Sequence, residues 1–477
     1  MRIINTLTEL KYTEIPIETP HLYKDTIKKY LFIYKARDDH RLLLLSKNAK
    51  KVFLLCNGKN TIQEIYSKLK EDSCLEKEVL QIISSLCKEK VLRITDKLEK
   101  TIEPIRKKPF IQSFSVWLHT TNLCNLRCPY CYIDKNNKES MPIPVAEKII
   151  LNAIEQCQKY NISKLAVKFA GGEPLIVWKN ILHIIDFIRQ KCDSVKINPT
   201  FSILSNGILI RKNIAQYLAN NRIPISISLD GIGEVNYSQR FYKNGKGSFR
   251  EIEYGIKILK EIGWKPFILI TITDKNFIGM RKLTSYLLKN ELSFRYSFVR
   301  NCSQMSLKDI FLLSKQYVEI LHQCFDDIEK WMLTRSWDFN VKFCDINLDR
   351  SVNRACGIGK NSVAVNYNGD IALCQMIFNT PVGNADNNNL IETVYNQKVI
   401  PDLQERTIDD YLICSQCIWK NICAGGCPVF TYKQFGRFNL PSPYCHAFQT
   451  LIPRVIRLKG IKLLREYEKM KGGETHE

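Results

Sequence analysis

Between residues 113 and 299, short apolar runs alternate with stretches of helical period. FSVWLHT, KLAVKFA, KINPTFSILS, IPISISL, KPFILITIT and FRYSFV are brief and rich in Val, Ile and Phe, the composition of strands. PVAEKIILNAIEQCQKY, WKNILHIIDFIRQKC, NIAQYLAN, SFREIEYGIKILKEI and NFIGMRKLTSYLLKN lie between them and repeat apolar residues every three to four positions. Six strands with intervening helices predict an α/β fold with a parallel sheet, either open or a partial barrel. In such folds chemistry collects at the C-terminal ends of the strands.

The pattern differs on either side. LFIYKARDDHRLLLLS reads as two short strands around a polar turn at Arg37–His40. A helix NAKKVFLLC follows and stops at Asn57-Gly58. Thr61 caps the helix TIQEIYSKLKED, with Glu64 completing a capping box. In EKEVLQIISSLCKEKVL, Val79, Ile82, Ile83 and Leu86 share one face. A hairpin followed by three helices suggests a small, separate winged-helix-like domain. Residues 93–112 are charged, contain Pro104 and Pro109, and read as a linker. From about residue 341 cysteines become dense and periodicity fades, which predicts a metal-organised domain. A basic amphipathic helix, IPRVIRLKGIKLLREYEKMK, closes the chain and reads as a solvated surface face.

A chain of 477 residues, 45% hydrophobic and 25% charged, is long enough for two or three domains. No apolar run reaches bilayer-spanning length, and MRIINTLTELKYTEIPIETP lacks the layout of a secretory signal. A cytoplasmic protein with no membrane partner is expected. In that reducing compartment the 18 cysteines are not expected to form disulfides. Cys56, Cys87, Cys157, Cys192 and Cys324 lie in apolar or helical stretches and read as small buried hydrophobes. The formal charge of +22 favours an anionic partner. The basic residues are dispersed and no nucleic-acid module appears, so nucleic acid is not expected; an acidic peptide fits.

The chemistry lies in two cysteine groups. TTNLCNLRCPYCYID follows the first strand and spaces Cys124, Cys128 and Cys131 as C-x3-C-x2-C. Three thiolates on one tight loop can hold three irons of a cubane and leave the fourth open. Farther along come Cys356, Gly369 and Cys374 as C-x12-G-x4-C, then Cys414, Cys417, Cys423 and Cys427 as C-x2-C-x5-C-x3-C, and Cys445. The spacing of the C-x2-C-x5-C-x3-C segment by itself leaves a zinc ribbon open.

The triad, its spacing and its place after a strand resemble the radical S-adenosylmethionine superfamily. That resemblance implies a [4Fe-4S] cluster whose open iron chelates S-adenosylmethionine, and a 5′-deoxyadenosyl radical that takes hydrogen from the substrate. It also implies cofactor contacts. Tyr130 would lie along the adenine. Gly171, Gly172 and Glu173 of KFAGGEPL, Ser205 and Asn206 of LSNG, Asp230 of SLDG, and Arg240 would complete the set. Glycines let backbone approach a ligand, and a carboxylate can bind its ammonium.

The later cysteines closely resemble the SPASM extension of peptide- and protein-modifying radical enzymes. By that likeness Cys414, Cys417, Cys423 and Cys445 hold an outer auxiliary [4Fe-4S] cluster, and Cys356, Cys374 and Cys427 an inner one. Three clusters result in all. The inner one has three assigned ligands, so either an iron stays open or Cys344 reaches in. Sulfatase-maturing relatives carry an aspartate after the G-x4-C cysteine; here Gln375 stands there and cannot act as a base. The N-terminal stretch resembles the PqqD-like recognition element of ribosomal peptide maturases, where a leader peptide adds as a strand beside the hairpin.

The expected organisation is a partial (β/α)6 TIM-type barrel at 108–340, with a winged-helix-like recognition element at 28–100. A SPASM iron–sulfur domain would follow at 341–450 and a C-terminal helix at 451–477. The implied enzyme binds the leader of a ribosomally made precursor and forms a thioether or carbon–carbon cross-link in its core. Its electrons would come from a flavodoxin or ferredoxin. Alternatives are another SPASM oxidase, of the type that matures a quinone cofactor, and a zinc-containing nucleic-acid-binding protein. The sequence identifies no catalytic base.

Overall fold

The computed structural model describes residues 10–473 apart from 38, 71–74, 96–111, 135–137, 301–304, 338, 387–388 and 398–405. Asp38 of the predicted turn and most of the predicted linker, with Pro104 and Pro109, lie outside the described residues.

The N-terminal module begins with β1 (Pro16–Glu18), β2 (Leu22–Ile27), β3 (Tyr30–Lys35) and β4 (Leu42–Leu45). β2, β3 and β4 form an antiparallel sheet in that order, while β1 pairs with β5 (Leu92–Ile94). The predicted hairpin is β3–β4. Two strands ahead of it escaped the sequence because LYKDTI and PIE carry charged residues and little alternation. Arg93 and Ile94, expected in the linker, are strand. Three helices follow β4, at Lys47–Leu55, Ile62–Leu69 and Glu76–Lys88. The capping box is formed: Glu64 N donates to Thr61 Oγ1 at 3.2 Å, and Thr61 N donates to the Glu64 carboxylate at 2.7 Å.

Alternation in β3 gives the module two faces. Leu31 and Ile33 pack with Val52, Ile65, Val79 and Ile83 in the module's own core. Phe32 and Tyr34 point the other way and join the large core of the chain.

That large core surrounds the predicted sheet. β6 (Ser113–His119), β7 (Lys164–Ala170), β8 (Asn198–Ser205), β9 (Ile225–Ser228), β10 (Phe267–Ile272) and β11 (Phe294–Phe298) match the six expected strands. They pair in parallel, each with its sequence neighbour. β12 (Val341–Phe343) extends the sheet beyond β11, and β13 (Ser362–Val365) pairs in parallel with β6. β14 (Asp370–Ala372) and β15 (Gly383–Asn384) add antiparallel strands outside β13. Among the described residues the barrel therefore has eight parallel strands and stays open between β12 and β15. Phe114, Val116 and Leu118 on β6, with Leu165, Val167 and Phe169 on β7, are buried on the helix-covered face.

Two long helices close one side. Leu307–Thr334 was not read from the sequence; Ser306 and Asp309 form its capping box. The final helix runs Cys445–Gly473 and corrects the expected solvated face. Leu451, Ile452, Ile456, Ile461 and Leu464 are fully buried, because this helix packs against Leu307–Thr334 and the N-terminal sheet. A Cβ at Gly460 would lie 2.9 Å from Ile27 Cδ1, so the glycine admits that sheet. Arg457 ties the three elements together, donating to Glu329, Asp25 and the Thr26 carbonyl. Among the described residues no helix is long and apolar enough to cross a membrane.

Candidate metal and cofactor centre

The cysteine loop leaves β6 and is strapped to the end of β7. Thr120 N donates to Ala170 O at 2.8 Å, Gly172 N to Thr121 O at 2.7 Å and Glu173 N to Leu123 O at 2.8 Å. Side chains would block this approach. A Cβ at Gly171, where φ is +143°, would sit 2.4 Å from Thr121 O, and one at Gly172 would sit 2.3 Å from Leu123 O. The glycine pair thus admits the cysteine loop itself, whereas the sequence suggested close approach of a ligand. Within the loop, Leu126 N donates to Cys124 Sγ at 3.4 Å. Burial pushes the Cys124 thiol up to about 12, and Cys128 and Cys131 lie near enough to add to that rise.

The remaining predicted residues meet at the strand ends in two connected groups. In the first, the fully buried Glu173 carboxylate accepts from Leu175 N at 3.0 Å, Ser205 Oγ at 2.8 Å and Asn206 N at 2.7 Å. Burial raises its pKa to about 7 despite these donors. Asn206 Nδ2 donates to Asn125 Oδ1 at 2.7 Å, which ties the end of β8 to the cysteine loop. In the second group, Arg240 Nε donates to Asp230 Oδ2 at 2.6 Å, and the Tyr130 hydroxyl donates to the same oxygen. The Arg240 guanidinium lies 5.6 Å from the Tyr130 ring centre. These are contacts among the side chains themselves; the cofactor roles assigned by resemblance belong to a bound ligand.

His119, at the end of β6, was not singled out by the sequence. Its Nε2 lies 2.6 Å from Asn122 Oδ1, its ring packs edge-on to Phe378, and its buried Nδ1 has no partner among the described residues. Burial lowers its pKa to about 4, so the ring is neutral near pH 7. One histidine at a strand end gives no distinctive sequence signal.

The later cysteines separate into two sets. Cys414, Cys417, Cys423 and Cys445 influence one another electrostatically and line a cavity of about 470 Å³, together with Trp419 and Phe448. Cys356 and Cys374 similarly feel Cys427. Cys344 is buried beside Arg300 and Asp345, and Arg300 in turn faces Cys427. The guanidinium is thus a neighbour of both Cys344 and the three-cysteine set. Among the described residues, no three His, Cys, Asp or Glu side chains sit close enough for one metal ion. A cubane spreads its ligands over four irons and needs a wider ring of thiols. Four thiols lining a cavity of this size fit such a group by donor type and by space.

The N-terminal module reaches this region. Arg37 Nη2 donates to the carbonyl of Gln416 at 2.7 Å, inside the C-x2-C turn, and the Tyr23 ring packs edge-on to Trp419 at 5.6 Å.

Comparison with known proteins agrees with this architecture. Residues 118–279 match the radical SAM superfamily, and residues 356–418 match SPASM, an iron–sulfur cluster-binding domain. An uncharacterized protein of Methanocaldococcus jannaschii is 33% identical over 36% of this chain; the match spans 57% of that relative's length. A cysteine-type anaerobic sulfatase-maturating enzyme of Clostridium novyi is 25% identical over 70% of this chain and 92% of its own. The subtilosin biosynthesis protein AlbA of Bacillus subtilis is 23% identical over 82% of this chain and 85% of its own. Among solved structures, Streptococcus suis SuiB bound to the precursor peptide SuiA is similar with a TM-score of 0.50 at 16% identity, over 90% of this chain and 99% of that one.

Proposed function

Taking as premise that the chain is a radical S-adenosylmethionine enzyme with a SPASM domain, we propose that it matures a ribosomally made peptide in the cytoplasm. In this reading it binds the precursor's leader and forms a thioether or carbon–carbon cross-link in the core. The observation that carries the reading is the N-terminal module, joined by Arg37 to the C-x2-C turn of the cysteine-rich domain. The SuiB likeness covers 90% of this chain, more than the barrel and cysteine-rich region alone would fill. The likeness to AlbA, a bacteriocin biosynthesis protein, adds a second supporting relative.

The assignments at the site follow. Cys124, Cys128 and Cys131 hold the radical-generating cluster; Cys414, Cys417, Cys423 and Cys445 the outer auxiliary cluster; Cys356, Cys374 and Cys427 the inner one. When bound, the first cluster and S-adenosylmethionine supply one-electron chemistry that removes a hydrogen atom from the substrate. Glu173 offers its carboxylate to the cofactor's ammonium, backed by Ser205 and the Asn206 amide. Asp230 holds Tyr130 and Arg240 in place for adenine and carboxylate. β4 forms one edge of its sheet and offers backbone groups to an added leader strand. A flavodoxin or ferredoxin delivers electrons.

A second reading, formylglycine formation, draws support from the Clostridium novyi relative. Gln375 disfavours it: its amide accepts no proton where that chemistry uses a carboxylate.

The test is incubation of the reduced, reconstituted enzyme with a precursor encoded beside its gene, followed by tandem mass spectrometry. Loss of two hydrogen atoms per cross-link is expected. An unmodified core despite cofactor cleavage would sink the cross-linking reading.

A further inference from the structure

The interior of a closed (β/α)8 barrel is ordinarily packed with layers of Val, Ile and Leu. Here the inward positions are different. The strand register aligns Trp117 with Lys168 and Lys168 with Ser202 on one side, and Leu269 with Arg295 and Arg295 with Lys342 on the other. The helix-covered partners of these residues are the buried aliphatic and aromatic side chains of the core. The remaining set therefore faces the concave side of the sheet.

The charge on that face is one-sided. Among all residues of β6 to β13, Lys164, Lys168, Arg295 and Lys342 are the cations, and none is Asp or Glu. Lys168 and Arg295 lie on strands four positions apart in the sheet, yet they repel each other, so the curl of the sheet brings them together. Among the described residues Lys168, Arg295 and Lys342 make no ion pair. Lys168 Nζ rests 5.5 Å from the Trp117 ring centre and Lys342 Nζ 5.9 Å from that of Phe267. Two donors are also left over: Trp117 Nε1 and Arg295 Nε are buried without a hydrogen-bond partner. Buried donors are normally satisfied, and Lys168 and Lys342, which stay open to solvent, add like charge on the same face that an anion would relieve. Desolvation and Arg295 together lower the pKa of Lys168.

Trp117 of this layer lies one inward position before His119 on β6, the strand that leads into the cysteine loop. We propose that this floor is a carboxylate-binding subsite, in which Lys168, Arg295 and Trp117 hold an acidic group of the peptide under the reaction centre. The carboxylate comes from an Asp or Glu side chain or from the peptide's C-terminus. This inference rests on the maturase reading for its ligand and deepens it: the substrate carries its acid close to the residue that reacts. Arg295 offers a forked pair of donors, Lys168 a point charge, and the Trp117 N–H orients the second oxygen.

The experiment uses the holoenzyme and does not depend on turnover. Lys168 is acetylated by a trace of acetic anhydride, and its labelling is followed by mass spectrometry at constant ionic strength. Three acetylated tetrapeptides are the probes: Ala-Glu-Ala-Ala amide, Ala-Gln-Ala-Ala amide and Ala-Gln-Ala-Ala free acid. Protection of Lys168 by the first assigns a side-chain carboxylate, and protection by the third a C-terminal one. The neutral amide should give none. R295Q should weaken the protecting peptide about tenfold or more, the scale of losing a hydrogen bond to a charged group. Should R295Q not fold, the wild-type comparison of the three peptides still decides the matter.

Equal protection by the neutral peptide, or none by any peptide up to millimolar concentration, overturns the subsite. Protection by S-adenosylmethionine alone also overturns it, since the anion would then belong to the cofactor. Protection by a carboxylate peptide without any cross-linking of a precursor leaves the subsite standing while the maturase reading fails.

Discussion

Arg240 Nε donates to Asp230 Oδ2 at 2.6 Å, and both side chains are buried at the C-terminal end of the sheet. Asp230 also accepts from Thr271 N at 2.7 Å, so one carboxylate fastens the end of β10, the guanidinium and the Tyr130 hydroxyl. Burial works against the charge on Arg240, but the Asp230 carboxylate outweighs it and keeps the guanidinium protonated.

Removing one partner strands the other. Asp230→Asn should destabilise the protein by about 3–5 kcal/mol, the usual scale for breaking a buried pair. Urea unfolding of the anaerobic protein measures this. The double variant Asp230→Asn, Arg240→Met should recover part of the loss; a double variant no more stable than Asp230→Asn would show that the pairing is not its source.

The Gly172–Leu123 approach has its own consequence. Gly172→Ala places a Cβ 2.3 Å from a backbone oxygen, which cannot yield as a flexible side chain would. The cysteine loop must shift, so the variant is expected to lose iron at the triad and keep it at the other cysteine sets. On the proposed count of three four-iron clusters, iron per chain would fall by about a third. Iron analysis after reconstitution gives the answer, and unchanged iron with intact cofactor cleavage would remove the glycine from this role.

His119 carries a pH dependence. Its folded pKa of about 4 lies below the ordinary 6.5. Between these values the unfolded chain takes up a proton that the folded chain refuses. The stability from burying a neutral ring is therefore present above 6.5 and lost as pH falls towards 4. His119→Phe should flatten the fall by roughly 1 kcal/mol per pH unit in that window. Unfolding curves of both proteins at pH 6.5 and 5.5 make the comparison; parallel slopes would count against it.

Arg37 couples the N-terminal module to the C-x2-C turn through the Gln416 carbonyl. Arg37→Ala should leave the module folded, since its own core and the Thr61–Glu64 capping box are untouched. The turn around Gln416 should exchange its amide hydrogens faster, which hydrogen exchange with mass spectrometry reads. Exchange unchanged at 414–419 would mean that the Tyr23–Trp419 contact is sufficient.

The sequence by itself determined the elements and the chemical inventory. β7 occupies the residues predicted, and all six expected strands form, because apolar period and length are local properties of the chain. The cysteine spacings are likewise local: a tight loop after a strand needs no distant partner to bring Cys124, Cys128 and Cys131 together. Thr61 and Glu64 were legible for the same reason.

Tertiary structure decided what depends on residues far apart. Whether the last helix is solvated turned on Leu307–Thr334 and on a sheet more than four hundred residues earlier, which bury Leu451, Ile456 and Leu464. The nearness of Cys427 to Cys356 and Cys374, which the resemblance had implied, depends on how the chain returns on itself, because Cys423 is the closer neighbour of Cys427 in sequence. The cationic floor is of the same kind. Lys168 and Arg295 are 127 positions apart, and only the curl of the sheet makes one surface of them, because side-chain direction alternates along a strand while curvature belongs to the whole sheet.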